Sequence, residues 1–84
     1  MNWIFPAIKT TRSVDEQFQK IYDECLEYKE AEGLEKDKEA VDILHSVETF
    51  LRIRFKGRED ELNNLIQKII KKNSNRGYYN QDCF

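Results

Sequence analysis

The stretch YDECLEYKEAEGLEKDKEAVDIL, Tyr22–Leu44, decides the fold, because it carries helical periodicity on both sides of a single break at Gly33. Upstream, Val14, Phe18, Ile21, Tyr22, Cys25 and Tyr28 recur at three- and four-residue intervals and line one helical face. Downstream, Ala40, Ile43, Leu44, Val47, Phe50, Leu51 and Phe55 repeat the pattern up to Gly57. The same stretch also gathers acids: Glu24 and Glu27 stand three apart, and so do Glu39 and Asp42. Residues three apart on a helix are neighbours, and like charges so placed cost about 0.2–0.5 kcal/mol per pair.

Working outward, Ser13-Val14-Asp15-Glu16 fits the S-x-x-E capping box, so the first helix starts there. Leu62, Leu65, Ile66, Ile69 and Ile70 mark a third helix, with Glu59, Asp60 and Glu61 at its positive end and Lys71 and Lys72 at its negative end. The expectation is an all-α chain with three helices at about 13–32, 37–56 and 59–72. An ordered arm, 1–12, precedes them, with Pro6 biasing Phe5 toward extended geometry. An irregular tail, 73–84, follows, where periodicity stops and Asn, Ser and Gly gather. The chain shows no internal repeats, low-complexity tracts or strand pairs.

With 84 residues, of which 39% are hydrophobic, the chain reads as one domain, 1–84, with little core to spare. A chain of this size draws roughly 3–5 kcal/mol from its own core and needs a staple. Self-association is the expected one, completing a four-helix-type bundle as a homo-oligomer, dimer or tetramer. The net charge of −2 gives no general attraction for a nucleic-acid polymer. No apolar run approaches the roughly 20 residues that span a bilayer, and Met1–Ile8 lacks the pattern of a signal peptide, so a soluble, cytoplasmic protein without a membrane partner is expected. Cys25 and Cys83 form neither a disulfide framework nor a CxxC spacing, which suits a reducing compartment.

Both acid pairs fall on the same rim of their apolar stripes, so antiparallel packing through those stripes would bring the four carboxylates together. Such a cluster calls for compensation, and a hard divalent cation such as Mg²⁺, which takes oxygen ligands and shares its shell with substrate phosphates, supplies it. Solvated acidic helix faces show the same spacing, and Glu39 also gains from the dipole of the helix it begins.

The order of these residues resembles the MazG-like branch of the all-α nucleoside triphosphate pyrophosphatases, whose hallmark is E-x-x-E followed after a loop by E-x-x-D. Here these are Glu24-Cys25-Leu26-Glu27 and Glu39-Ala40-Val41-Asp42. Lys20-Ile21-Tyr22-Asp23-Glu24 is similar to the preceding K-h-x-E-E pattern, with Asp23 in place of the usual glutamate. The segment KNSNRGYY, Lys72–Tyr79, is similar to the ending of small members, and the segment between the acid motifs is at the short end for the family. The resemblance, over about residues 13–79, implies hydrolysis of a (deoxy)nucleoside triphosphate to monophosphate and pyrophosphate with Mg²⁺, for which Mn²⁺ substitutes. It implies Glu24, Glu27, Glu39 and Asp42 as metal ligands, with Glu24 or Glu27 also catalytic in orienting or deprotonating the water. Lys20, Lys72, Asn73, Arg76 and Tyr79 would bind substrate. Narrower dUTP or phosphoribosyl-ATP hydrolysis is compatible with the same framework, as is a catalytically silent helical interaction module.

Each of these residues has an innocent reading too. Lys72 complements a helix dipole, Lys20 pairs with Glu24, and Tyr78 and Tyr79 suit a core or subunit contact as well as a base. Asp42 and His45 form D-x-x-H, but one histidine cannot build a di-iron bundle, which needs two. The helical period puts His45 away from the apolar stripe, hence exposed, and Cys25 on it, hence in the core. Arg52, Arg54, Lys56 and Arg58 form the strongest basic patch, at a helix end where cations belong. Trp3 and Phe5 are left for base contact or for sealing a neighbouring subunit.

Overall fold

The computed structural model describes residues 2–80; Met1 and residues 81–84, with Cys83 among them, lie outside the described residues. Three helices follow in order: α1, Val14–Glu30; α2, Gly33–Arg54; and α3, Glu59–Asn75. The all-α architecture agrees with the periodicity, and there is no strand among the described residues.

The capping box forms as written: Glu16 N–H donates to Ser13 Oγ at 3.1 Å, and Ser13 N–H donates to Glu16 Oε1 at 3.0 Å. The Ser13 N–H holds the Glu16 carboxyl below its usual range. α1 stops at Ala31, whose backbone turns extended while its N–H still reaches the carbonyls of Glu27 and Tyr28. Only Ala31 and Glu32 separate the two helices. The break at Gly33 is therefore the first residue of α2 rather than the stop of α1, and α2 starts four residues before the expected Asp37. Its φ of +59° is open to glycine at little cost, and so the chain reverses within two residues. Lys36 stitches the reversal, donating to the Tyr28 carbonyl at 2.9 Å with its ammonium 4.1 Å from the Tyr28 ring centre.

α1 and α2 pack as an antiparallel hairpin. The seam differs from the one periodicity suggests. Its buried residues are Gln17 and Glu24 of α1, and Glu39, Ser46, Glu48 and Thr49 of α2, while Phe18 and Tyr22 remain 61% and 57% exposed. Glu24 and Glu39 lie inside the hairpin, Asp42 is half-buried and Glu27 stays exposed. Cys25, expected in the core, is exposed. Phe18 and Phe50 meet along the apolar flank of the seam, with ring centres 5.9 Å apart.

α2 ends at Phe55, and Gly57, with φ +75°, turns the chain into α3. Arg58 offers α3 no side-chain cap, and Glu59, Asp60 and Glu61 instead set negative charge against its first turn. α3 stays apart from the hairpin, without close backbone approach to α1 or α2. It also runs three residues past the expected end, so Asn73, Ser74 and Asn75 are helical, Arg76 is the cap, and the irregular tail begins only there. Leu62 is the one buried hydrophobic residue among the described residues, and Leu65, Ile69 and Ile70 of α3 stand open. Among the described residues no helix is long and apolar enough to cross a membrane.

Candidate functional site

The reversal at Ala31–Glu32 sets the end of α1 beside the start of α2, which brings the two acid motifs together. One carboxylate oxygen from each of Glu24, Glu39 and Asp42 lies within 4.8 Å of the other two. Glu24 and Glu39 are buried, and Asp42 is half-buried. Glu27 sits exposed at the edge, near enough for the Glu24 charge first, and then Glu39, to raise its carboxyl above the usual range. All four expected ligands thus share one neighbourhood.

Two lysines flank the cluster. Lys20 Nζ is 3.0 Å from Glu24 Oε1, and Lys38 Nζ is 3.1 Å from Asp42 Oδ2 and 3.7 Å from Glu39 Oε1. Each ammonium is held above its ordinary range, Lys20 by the Glu24 hydrogen bond and Lys38 by that of Asp42. Even so, Glu39 Oε2 is buried with no hydrogen-bond partner. A buried carboxylate oxygen without a donor is costly, and an all-oxygen set with such an orphan suits a hard divalent cation. The acids present could thus hold a divalent cation.

Beyond the acids the polar seam opens into a cleft of about 180 Å³, lined by Ile8, Arg12, Gln17, Lys20, Glu24, Asp42, His45, Ser46 and Thr49. Gln17 spans it: the side-chain amide donates to the Ser46 carbonyl at 3.0 Å, and its oxygen accepts from Arg12 Nη1 at 3.1 Å. Lys20 is the one expected substrate-binding residue that lines this cleft. Lys72, Asn73, Arg76 and Tyr79 are gathered instead at the far end of α3, where Asn73 Nδ2 reaches Tyr79 Oη at 3.4 Å. The chain does not bring them to the acid cluster.

The arm forms one wall of the cleft. Ile4 and Phe5 N–H groups donate to the two oxygens of Glu48, each at 2.8 Å, and Arg52 Nη2 donates to the Phe5 carbonyl at 2.8 Å. The Arg52 guanidinium also lies 4.4 Å from the Trp3 ring centre. Burial alone would push the Glu48 carboxyl up, but the two N–H donors and the Arg52 charge outweigh it and leave the carboxyl below its usual range. Phe5 stacks on His45 at 4.5 Å, which corrects the expected exposure of His45: it is half-buried, with Nε2 buried and unpartnered. Trp3 and Phe5 are thereby engaged within the chain.

Arg12, Gln17, His45, Ser46 and Thr49 were not among the expected site residues. A signal for the seam does exist. Gln17 and Glu24 are seven apart, and Glu39, Asp42, Ser46 and Thr49 follow three-four-three spacing, which is a polar heptad stripe beside the apolar one.

No family model, curated protein or solved structure significantly matches this chain.

Proposed function

We propose that the chain is a divalent-cation-dependent nucleoside triphosphate pyrophosphohydrolase of MazG-like type, converting a (d)NTP to the (d)NMP and pyrophosphate. One observation carries the reading: two acid motifs on different helices converge on a buried carboxylate oxygen, Glu39 Oε2, that has no partner within the chain. A purely solvated acidic face would not bury Glu24 and Glu39 in the helix seam.

Glu24, Glu39 and Asp42, with Glu27 at the edge, would hold Mg²⁺ or Mn²⁺. When bound, the cation neutralises phosphate oxygens and eases ionisation of water at the site. Lys20, released from Glu24 once that carboxylate has another partner, turns its ammonium to a phosphate oxygen. Glu27, open to solvent at the edge of the cluster, would take a proton from the attacking water as the water oxygen bonds to the α-phosphorus. The bridging oxygen leaves with pyrophosphate. Lys72, Asn73, Arg76 and Tyr79 can complete the phosphate grip only from another copy, so the working unit is a homo-oligomer, which also covers Phe18, Tyr22 and Ile69.

A panel of standard and altered (d)NTPs with Mg²⁺ or Mn²⁺ tests the reading. Pyrophosphate and monophosphate are the expected products. Orthophosphate alone, or no turnover across the panel, overturns it; turnover of a single nucleotide marks a narrower dUTP or phosphoribosyl-ATP type of hydrolase.

A further inference from the structure

The arm meets α2 along one face. Asp42, His45, Glu48 and Arg52 follow at intervals of three, three and four, so an acid of the cluster, the histidine under Phe5 and both partners of the arm backbone share a side of the helix. The three hydrogen bonds that seat Ile4 and Phe5 all end on Glu48 and Arg52, at 2.8 Å each. From Pro6 to Lys9 the arm is exposed and without regular structure, and at Arg12 it is tied again, through Nη1 to Gln17. A segment fastened in this way can lift at one end while the helices stay folded.

Seated, the arm keeps the acid cleft small. Ile8 and Arg12 stand in its lining, and the space is about 180 Å³. Sites that enclose an organic ligand run to roughly 300–1,000 Å³, so a cation and phosphate groups leave no room here for the nucleoside of a (d)NTP. Ile8 also lines a larger hollow, about 550 Å³, between the arm and the last turns of α2, so lifting the arm takes Ile8 from the rim of both spaces. Release carries a compensation too. His45 Nε2 is buried without a partner, and once Phe5 leaves its ring that nitrogen can pair with water or ligand.

We propose that the arm is an autoinhibitory strap: seated on Glu48 and Arg52 it shuts the nucleoside out of the acid cleft, and a nucleotide binds only as residues 2–9 leave α2. This rests on the hydrolase reading for the identity of the ligand. Seated and lifted forms are two states that the ligand distinguishes, and its apparent affinity is the intrinsic one reduced by the lifted fraction.

Trp3, the only tryptophan, reports the seat through its contact with Arg52. The full chain is titrated with α,β-methylene analogues of the common dNTPs in the presence of Mg²⁺. Saturation should move the Trp3 emission to the red and speed trypsin cleavage after Lys9. Phe5→Pro removes one N–H donor and the ring on His45 and alters no helix residue. It should emit to the red without ligand and bind the analogue about tenfold more tightly, as for a strap lifted in about a tenth of parent molecules. Glu48→Gln, which leaves Phe5 in place, should act in the same direction. Emission and cleavage unmoved at saturation in the parent overturn the strap, whatever the variants do. A red-emitting variant that binds no more tightly than the parent overturns it as well, since the arm is then a fixed wall of the site. Pyrophosphate release from the natural dNTPs is scored separately: release with an unmoved arm sinks the strap and spares the hydrolase, whereas tighter binding by the lifted variants without release does the reverse.

Discussion

Glu39 concentrates the chemistry of the chain in one side chain: one oxygen is 3.7 Å from Lys38, and the other is buried without a donor. Changing Glu39 to Gln should leave the melting temperature without divalent cation no lower than that of the parent. It should also abolish the rise that Mg²⁺ gives the parent, about 2.7 kcal/mol at a cation concentration one hundred times its Kd. Thermal melts with and without Mg²⁺ check both halves. Glu27 adds a pH signature. Its carboxyl lies above the usual range in the folded chain, so folding favours the protonated form; that contribution is complete below the ordinary carboxyl pKa and vanishes as pH rises through the raised one. Glu27→Gln, melted without cation, should therefore gain stability at neutral pH and little at about pH 4. The convergence of these acids was legible in the sequence, since spacing alone puts each pair on one face. His45 was not, because its cover is Phe5, forty residues upstream, and a helical wheel sees only one helix at a time.

At the scale of elements, helix starts written in side chains were readable, and those written in backbone were not. Ser13 and Glu16 announce α1 through reciprocal hydrogen bonds, whereas α2 begins at Gly33, which reads as a stop in sequence and acts as a pivot in the chain. The arm is the clearest case of an element held by distant partners. Glu48 accepts from the backbone of Ile4 and Phe5, and no periodicity reports such a bond. Because this carboxyl lies below its usual range in the folded chain, its contribution is present above the ordinary carboxyl pKa and is lost as pH falls through the lowered one. The emission of Trp3, the only tryptophan, should shift to the red on acidification through that range. Glu48→Gln should show the shifted emission already at neutral pH, with faster proteolysis within residues 2–12. A variant with unshifted emission and an intact arm would show that the Arg52 contacts suffice.

Taken whole, the chain is flat, 36 × 35 × 20 Å, and leaves Phe18, Tyr22, Leu65, Ile69 and Ile70 open to water. A chain with so few buried apolar side chains gains by covering those faces with a second copy. Light scattering should report a multiple of the monomer mass, and Ile69→Glu, on the open face of α3, should shift it toward the monomer. A parent chain that stays monomeric at high concentration would remove the partner from which Lys72 and Arg76 are expected to act. The helix count was legible because three apolar periods and their breaks are all local signals. The standing apart of α3 was not, since amphipathic patterning shows that a face will be covered and is silent on which molecule covers it. The two-residue link at Ala31–Glu32 carries a last consequence, for time rather than space. Glu24, Glu39 and Asp42 fall within nineteen consecutive residues, 24–42, while the Glu48 bonds to the arm close loops of 43 and 44 positions. Near neighbours in sequence meet sooner than remote ones, so a newly made chain would bring its carboxylates together before the arm finds its seat.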